Sequence, residues 1–203
     1  MADYKIVFQD DYILVADKPP GLLTVATPKK EQHTLSSLLN CYPAHRLDRE
    51  TSGLIVLAKD KNTQRILMDQ FRERKVKKCY IAFVRGRLKN KKGVISRYVQ
   101  DNPFEAPKYA RTEYRLVEER KDYSVLEVVP LTGRTNQIRI HFKQMGNPLL
   151  GERRFAFARD FKIKFRRVAL HSSNLGFNHP VTGKKMSFNC ALPSDMQEFL
   201  DTH

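Results

Sequence analysis

One stretch concentrates side chains that can do chemistry: His45-Arg46-Leu47-Asp48-Arg49-Glu50-Thr51-Ser52-Gly53. Asp48 stands between Arg46 and Arg49, and guanidinium groups close in space favour the charged form of a carboxyl. An ionised carboxylate in a partly closed site can attack as a nucleophile, or stabilise positive charge developing at a sugar C1′. Thr51 and Ser52 can satisfy backbone groups of a turn, and Gly53 permits a tight reversal. Read alone, the same residues also describe a surface turn with ordinary ion pairs. Metal chemistry is not expected. Cys41, Cys79 and Cys190 are far apart, and the six histidines form no H-x-x-x-H or H-x-H pair. The nine glycines are scattered and build no phosphate-binding loop, so neither a nucleotide nor an organic cofactor is expected.

Asp48 needs rigid elements on either side, and the hydrophobic pattern supplies them. Residues 34–41 read as a short helix with Leu35, Leu38 and Leu39 on one face, and the apolar run 54–58 as a buried strand. Upstream, residues 5–8 and 12–17 read as strands around a turn at 9–11, and Lys18-Pro19-Pro20-Gly21 breaks the chain. Downstream, a helix over 62–74 buries Ile66, Leu67 and Phe71. In the strand 79–84, Cys79, Ile81 and Phe83 alternate with Tyr80, Ala82 and Val84. Further strands are expected over 94–99, 111–117 and 124–129. A helix over 134–145 carries Ile138, Phe142 and Met145 at i, i+4, i+7, with Gly146 just after it. Residues 169–177 and 185–189 flank a turn, and Ser194 to Gln197 reads as a capping box opening a last helix. Hairpins outnumber regular βαβ units. This predicts an α+β fold, a mixed and mostly antiparallel sheet with flanking helices, as a single domain over residues 1–203.

Lys and Arg total 37 against 22 Asp and Glu, a net charge of +15. The excess is clustered at 72–78, at 89–92 and from Arg153 to Arg167, which favours a polyanion held by counterion release. Between Phe155 and Arg167, Phe161, Ile163 and Phe165 alternate with Lys162, Lys164 and Arg166. Such a stretch either displays cations to phosphate or forms an ordinary half-buried strand. No apolar run approaches the roughly 20 residues that cross a bilayer. The N-terminus lacks the pattern of a signal peptide, so a cytoplasmic protein without membrane contact is the expectation.

The motifs together resemble the RluA family of pseudouridine synthases. His45-Arg46-Leu47-Asp48-Arg49-Glu50-Thr51-Ser52-Gly53 is similar to that family's signature. Lys78-Cys79-Tyr80-Ile81-Ala82-Phe83-Val84-Arg85-Gly86 is similar to its tyrosine motif. Leu131-Thr132-Gly133-Arg134-Thr135-Asn136-Gln137-Ile138-Arg139-Ile140-His141 is similar to its third motif. Asp17 to Gly21, Gly146 to Gly151, Ala169 to Ser172 and Phe177 to Gly183 follow the same pattern in family order, so the resemblance covers nearly the whole chain.

The resemblance implies an enzyme that isomerises uridine to pseudouridine in structured rRNA or tRNA. Asp48 would be the catalytic carboxylate, Tyr80 the active-site tyrosine and Arg139 the basic residue that pairs with Asp48. Arg46, Arg49, Arg134 and Asn136 would contact the RNA, whose target base leaves its stack. The family usually has histidine where this chain has Asn136. His141 and His171 would be structural hydrogen bonders. The catalytic pattern begins near Tyr4, which implies no small RNA-binding domain ahead of it, so the catalytic domain itself would recognise the target; a monomer is the simplest expectation. Two other readings are a non-catalytic RNA-binding protein and a retaining glycoside or nucleoside hydrolase. The first would be marked by loss of Asp48, Tyr80 or Arg139. The second needs another carboxylate about 5–5.5 Å from Asp48, with Glu50 badly placed and Glu105, Glu113 and Glu127 open.

Overall fold

The computed structural model describes residues 4–27, 31–156 and 163–203. The chain divides into two compact units, Met1–Lys78 with Ser172–Pro193, and Cys79–His171 with Ser194–His203. Every strand pair with a defined register is antiparallel, which with the helices makes an α+β protein as expected.

In the first unit, β1 (Lys5–Gln9) pairs with β2 (Ile13–Lys18), and β2 pairs with β4 (Ser52–Ala58). The short β3 (Tyr42–Pro43) also pairs with β4. Next to β4 runs β9 (Leu170–Asn178), which carries β10 (Lys185–Asn189) on its far side. All seven residues of β4 are buried, which is why its sequence is a continuous apolar run rather than an alternation. Ile13, Val15, Leu54, Val56, Leu175 and Phe177 close a core, which Leu67 of helix α2 (Lys61–Arg72) completes. Asp60 caps α2 by accepting from the Thr63 N–H at 2.9 Å and its hydroxyl at 2.6 Å. The buried face of α2 is Thr63, Leu67 and Gln70, while Ile66 and Phe71 are half-buried. Helix α1 (Leu35–Leu39) buries Leu35 but leaves Leu38 exposed. A capping box the sequence reading missed starts it, with Thr34 and Ser37 each accepting from the other's backbone N–H.

In the second unit, β5 (Lys77–Arg85), β8 (Tyr123–Pro130), β7 (Lys108–Glu119) and β6 (Lys92–Val99) lie side by side in that order. Residues Tyr80 to Val84 are buried apart from Ile81, so this strand has core on both faces near its end. Helix α4 (Ser194–Thr202) adds Phe199, whose ring lies 6.1 Å from Phe83, 5.3 Å from Tyr123 and 5.2 Å from Phe165. Helix α3 (Gln137–Gln144) starts three residues later than expected. Thr132 and the Arg134 N–H both donate to the Gln137 side chain, at 2.7 and 3.0 Å, and Asn136 takes a left-handed φ of 51°. The chain therefore turns before it coils.

Of the basic, aromatic stretch near residue 160, Phe161 and Lys162 lie outside the described residues. Ile163 to Arg166 form no strand. At its end Arg167 is buried rather than displayed, forking onto Asp195 at 2.7 and 2.9 Å.

Candidate active site

In the first unit, the loop carrying Asp48 runs from β3 to β4 and is held from below by polar groups on its main chain. Lys18 is wholly buried, and its ammonium donates to the carbonyls of Pro19 (2.9 Å), Leu22 (2.8 Å) and Arg49 (3.3 Å). A buried cation costs several kcal/mol unless its donors are satisfied, so these carbonyls are fixed around it. Thr24 donates its hydroxyl to the Leu47 carbonyl at 3.0 Å and accepts from the Leu47 N–H at 3.2 Å. The Gly21 N–H reaches the Arg49 carbonyl at 2.8 Å, and the Thr51 N–H the Asp48 carbonyl at 3.1 Å. These bonds bracket Asp48 on both sides. Its side chain is half-buried, while those of Arg46 and Arg49 are exposed. The outer nitrogens of Arg49 pair with Glu31 at 3.1 Å.

The loop leaves through Gly53, and here glycine is required twice over. Its φ is +109°, and a Cβ would lie 2.3 Å from the Ser172 carbonyl oxygen. His45, which opens the loop, stacks on Phe71 with centroids 4.4 Å apart, and its Nε2 accepts from the Val56 N–H at 3.3 Å. That nitrogen faces protein rather than water. Burial, and secondarily the nearby Lys78 charge, push the imidazole pKa down to about 3. His45 is therefore a neutral structural acceptor at physiological pH. Lys78 itself is pulled below the usual lysine range by burial.

In the second unit, Tyr80 is 8% exposed on β5, opposite Val128 of β8. Arg139 sits on α3 and is 7% exposed. Five of its neighbours on α3 are buried too, because both sides of this short helix meet protein. Its guanidinium forks onto Glu152, Nε to Oε2 at 2.7 Å and Nη2 to Oε1 at 2.8 Å, and Nη1 donates to Asn136 Oδ1 at 2.8 Å. Phe155 lies against its face, 5.2 Å from ring centroid to guanidinium carbon. Burial works to raise the Glu152 pKa. Arg139 and the N–H groups of Arg154 and Phe155 outweigh it, and the carboxyl is held below its ordinary value.

Asn136 joins this network to the far end of the β6–β7 hairpin. Its Nδ2 donates to Asp101 Oδ1 at 2.6 Å, and Asp101 is also gripped by Arg154 at 3.1 Å. Arg134 is exposed, with its Nε donating to the Tyr109 carbonyl at 3.3 Å. His141 is fully buried, with Nδ1 2.8 Å from the Thr112 hydroxyl.

Three contributors escaped the sequence reading: Lys18, Glu152 and Asp101. Lys18 was visible as part of Asp17-Lys18-Pro19-Pro20-Gly21, but nothing in the string says that a lysine after an apolar strand is buried. Glu152 is a single acid just ahead of the basic cluster that begins at Arg153, and a lone carboxylate there gives no signal of its own. Of the carboxylates considered for a hydrolase, Glu105 pairs with Lys108 at 2.7 Å and Glu127 with Arg115 at 2.6 Å, both at the surface.

Residues 12–144 match the RNA pseudouridylate synthase family. The chain is 37% identical to the dual-specificity RNA pseudouridine synthase RluA of Yersinia pestis, over 91% of this chain and 97% of that protein. It is 37% identical to the enzyme of the same name from Escherichia coli strain K12, over 94% and 93%. Among solved structures, human RNA Pseudouridylate Synthase Domain Containing 1 superposes with a TM-score of 0.79 at 24% identity, covering 95% of this chain and 84% of that one. Human RNA Pseudouridylate Synthase Domain Containing 4 gives 0.78 at 23%, covering 97% and 91%. At those identities the two human proteins speak for the fold alone.

Proposed function

The chain belongs to the RluA family of RNA pseudouridylate synthases, isomerases that convert uridine to pseudouridine in RNA, and on that premise we propose that Asp48 is its catalytic carboxylate. The observation that carries this reading is the Asp48 loop. Its main chain is tied at Leu47, Asp48 and Arg49, and it presents a half-buried carboxylate flanked by exposed arginines. A rigid backbone beneath one reactive side chain is what preorganised catalysis needs.

The chemistry follows from the bond that breaks. Cleaving N1–C1′ leaves positive character on C1′ and negative charge on uracil. Asp48 answers the first, either by bonding to C1′ or by facing it as an anion. The uracil then turns until C5 bonds to C1′, displacing the Asp48 carboxylate where it had bonded there; the C5 proton passes to a base and N1 takes up a proton from solvent. Tyr80 serves this stage, stacking on the base and offering its hydroxyl as a base towards C5. Arg139 pairs with Asp48 and keeps it charged. Arg46, Arg49, Arg134 and Asn136 hold the RNA, with the target uridine turned out of its stack. The substrates are structured ribosomal or transfer RNA. The protein works as a cytoplasmic monomer without metal, nucleotide or organic cofactor. Among the described residues, no helix is long and apolar enough to cross a membrane.

The test is to map pseudouridine in uridine-containing transcripts and in total RNA after incubation with the wild-type chain and with Asp48→Ala. New pseudouridine with wild type alone, at constant nucleoside mass and with RNA still bound by the variant, supports the assignment. Identical patterns from both proteins contradict it, and released free uracil would indicate a hydrolase instead.

A further inference from the structure

The distal end of the β6–β7 hairpin presents a feature the reaction does not account for. Phe104, in the connecting turn, is 95% exposed, the most open of the large hydrophobic side chains described. The turn beneath it is firmly tied. Gln100 Nε2 donates to the Glu105 carbonyl at 2.8 Å and to that of Pro103 at 3.3 Å. The Phe104 N–H donates to Asn102 Oδ1 at 3.1 Å. A tied turn that still holds a bare phenyl ring in water leaves an apolar face to be covered by something else.

The surroundings say what. Behind the turn lies a polar cleft of about 180 Å3, whose lining includes Gln100, Asp101, Lys108, Arg134 and Thr135. On the other face of the hairpin, the cross-strand pair Tyr98 and Tyr109 is exposed, 63% and 46%, with ring centroids 5.6 Å apart. Arg111, next along β7 on the same face as Tyr109, and Arg134 are exposed as well. Aromatic faces, cations and hydrogen-bonding groups at one end of one hairpin match an unpaired nucleotide. The rings stack on its base, the arginines meet its phosphate, and polar groups meet the base edge. An apolar peptide would have little use for the cations, and the chain's net +15 favours a polyanion.

We propose that Phe104 stacks on an unpaired base of the substrate RNA other than the target uridine, making the β6–β7 turn a second base-binding subsite. This rests on the reading of the chain as an enzyme acting on structured RNA. The turn is also wired to the residues of that reading: Asp101 accepts from Asn136, which accepts from Arg139.

The experiment compares wild type, Phe104→Ala and Phe104→Trp in the full chain. The probes are a fluorescein-labelled RNA stem-loop with uridines in its loop and a fully paired duplex of the same stem. Phe104→Ala should weaken stem-loop binding roughly tenfold and duplex binding less than twofold, and Phe104→Trp should restore the stem-loop affinity. In turnover, Phe104→Ala should raise KM and leave kcat in place, with an unchanged melting temperature. Equal stem-loop binding by wild type and Phe104→Ala overturns the proposal and leaves a protein partner as the occupant. Equal weakening on both RNAs, or failure of tryptophan to restore binding, also overturns it. The binding comparison stands whether or not pseudouridine forms, so a failure of the catalytic assignment reads out separately.

Discussion

The Asp48 loop and the start of helix α3 both hold a charged side chain in place, but by opposite means. Around Asp48 the fixed points are main-chain atoms, gripped by the buried side chains of Lys18 and Thr24 and by the Gly21 N–H. Around Arg139 they are side chains: a two-pronged carboxylate, an amide and an aromatic face. In the first arrangement these ties run through main chain, so exchanging the Asp48 side chain, the proposed catalytic group, leaves them in place. In the second, the side chain and the structure are one network, and removing a member leaves buried charge behind. The lesson is practical. Loss of activity at Asp48 reports on chemistry, whereas loss at Arg139 mixes chemistry with folding.

Three substitutions test that contrast through stability. Glu152→Ala carries the largest effect, because it takes the carboxylate from a buried guanidinium. We expect a loss of about 3–5 kcal/mol in chemical denaturation. A loss below about 1 kcal/mol would mean that the network is ornamental. Gly53→Ala attacks the Asp48 platform where backbone is decisive. A Cβ at φ +109° and 2.3 Å from the Ser172 oxygen should cost about 2–4 kcal/mol by the same measurement.

The smallest effect is the pH dependence from His45. The folded pKa of about 3 lies below the ordinary 6.5, so between those values the unfolded chain takes up a proton that the folded chain refuses. Stability is therefore complete above about pH 6.5 and declines as the pH falls towards 3. His45 is half-buried as a whole, so we expect on the order of 1 kcal/mol lost between pH 6.5 and about pH 5. His45→Phe, which keeps the stack on Phe71, should flatten that part of the urea-midpoint profile, and an unchanged slope would refute the assignment. Glu152 acts in the same direction at lower pH. Its folded pKa is depressed, so its contribution is present above the ordinary carboxylate range and is lost on further acidification.

How much of this could be read from sequence depended on the period of the signal. The apolar run 54–58 and the alternation around Tyr80 are local patterns, and both fall inside strands, although β4 starts two residues earlier, at Ser52, where the sequence reads as a turn. Helix α3 was misjudged at its start, since Asn136 adopts a left-handed turn supported by the Gln137 side chain, which hydrophobic spacing does not encode. The third motif singles out Arg139, but nothing near it in the sequence says that it is buried. Its burial depends on Glu152, thirteen residues away, and pairings at that distance leave no periodic trace. Arg167 hid in a basic cluster for the same reason, its carboxylate partner Asp195 lying on α4. The motif residues stood out in the string because they come in long specific runs, while the groups beneath them are single residues scattered through the chain.

The central claim is that Asp48 performs the isomerisation, and Asp48→Asn tests it most directly, since it removes the charge and almost no volume. With stem-loop or total RNA as substrate, pseudouridine formation should fall by roughly three orders of magnitude or more, while RNA affinity and the far-ultraviolet circular dichroism stay at wild-type levels. Pseudouridine formed by folded, RNA-binding Asp48→Asn at a rate within about tenfold of wild type would contradict the account.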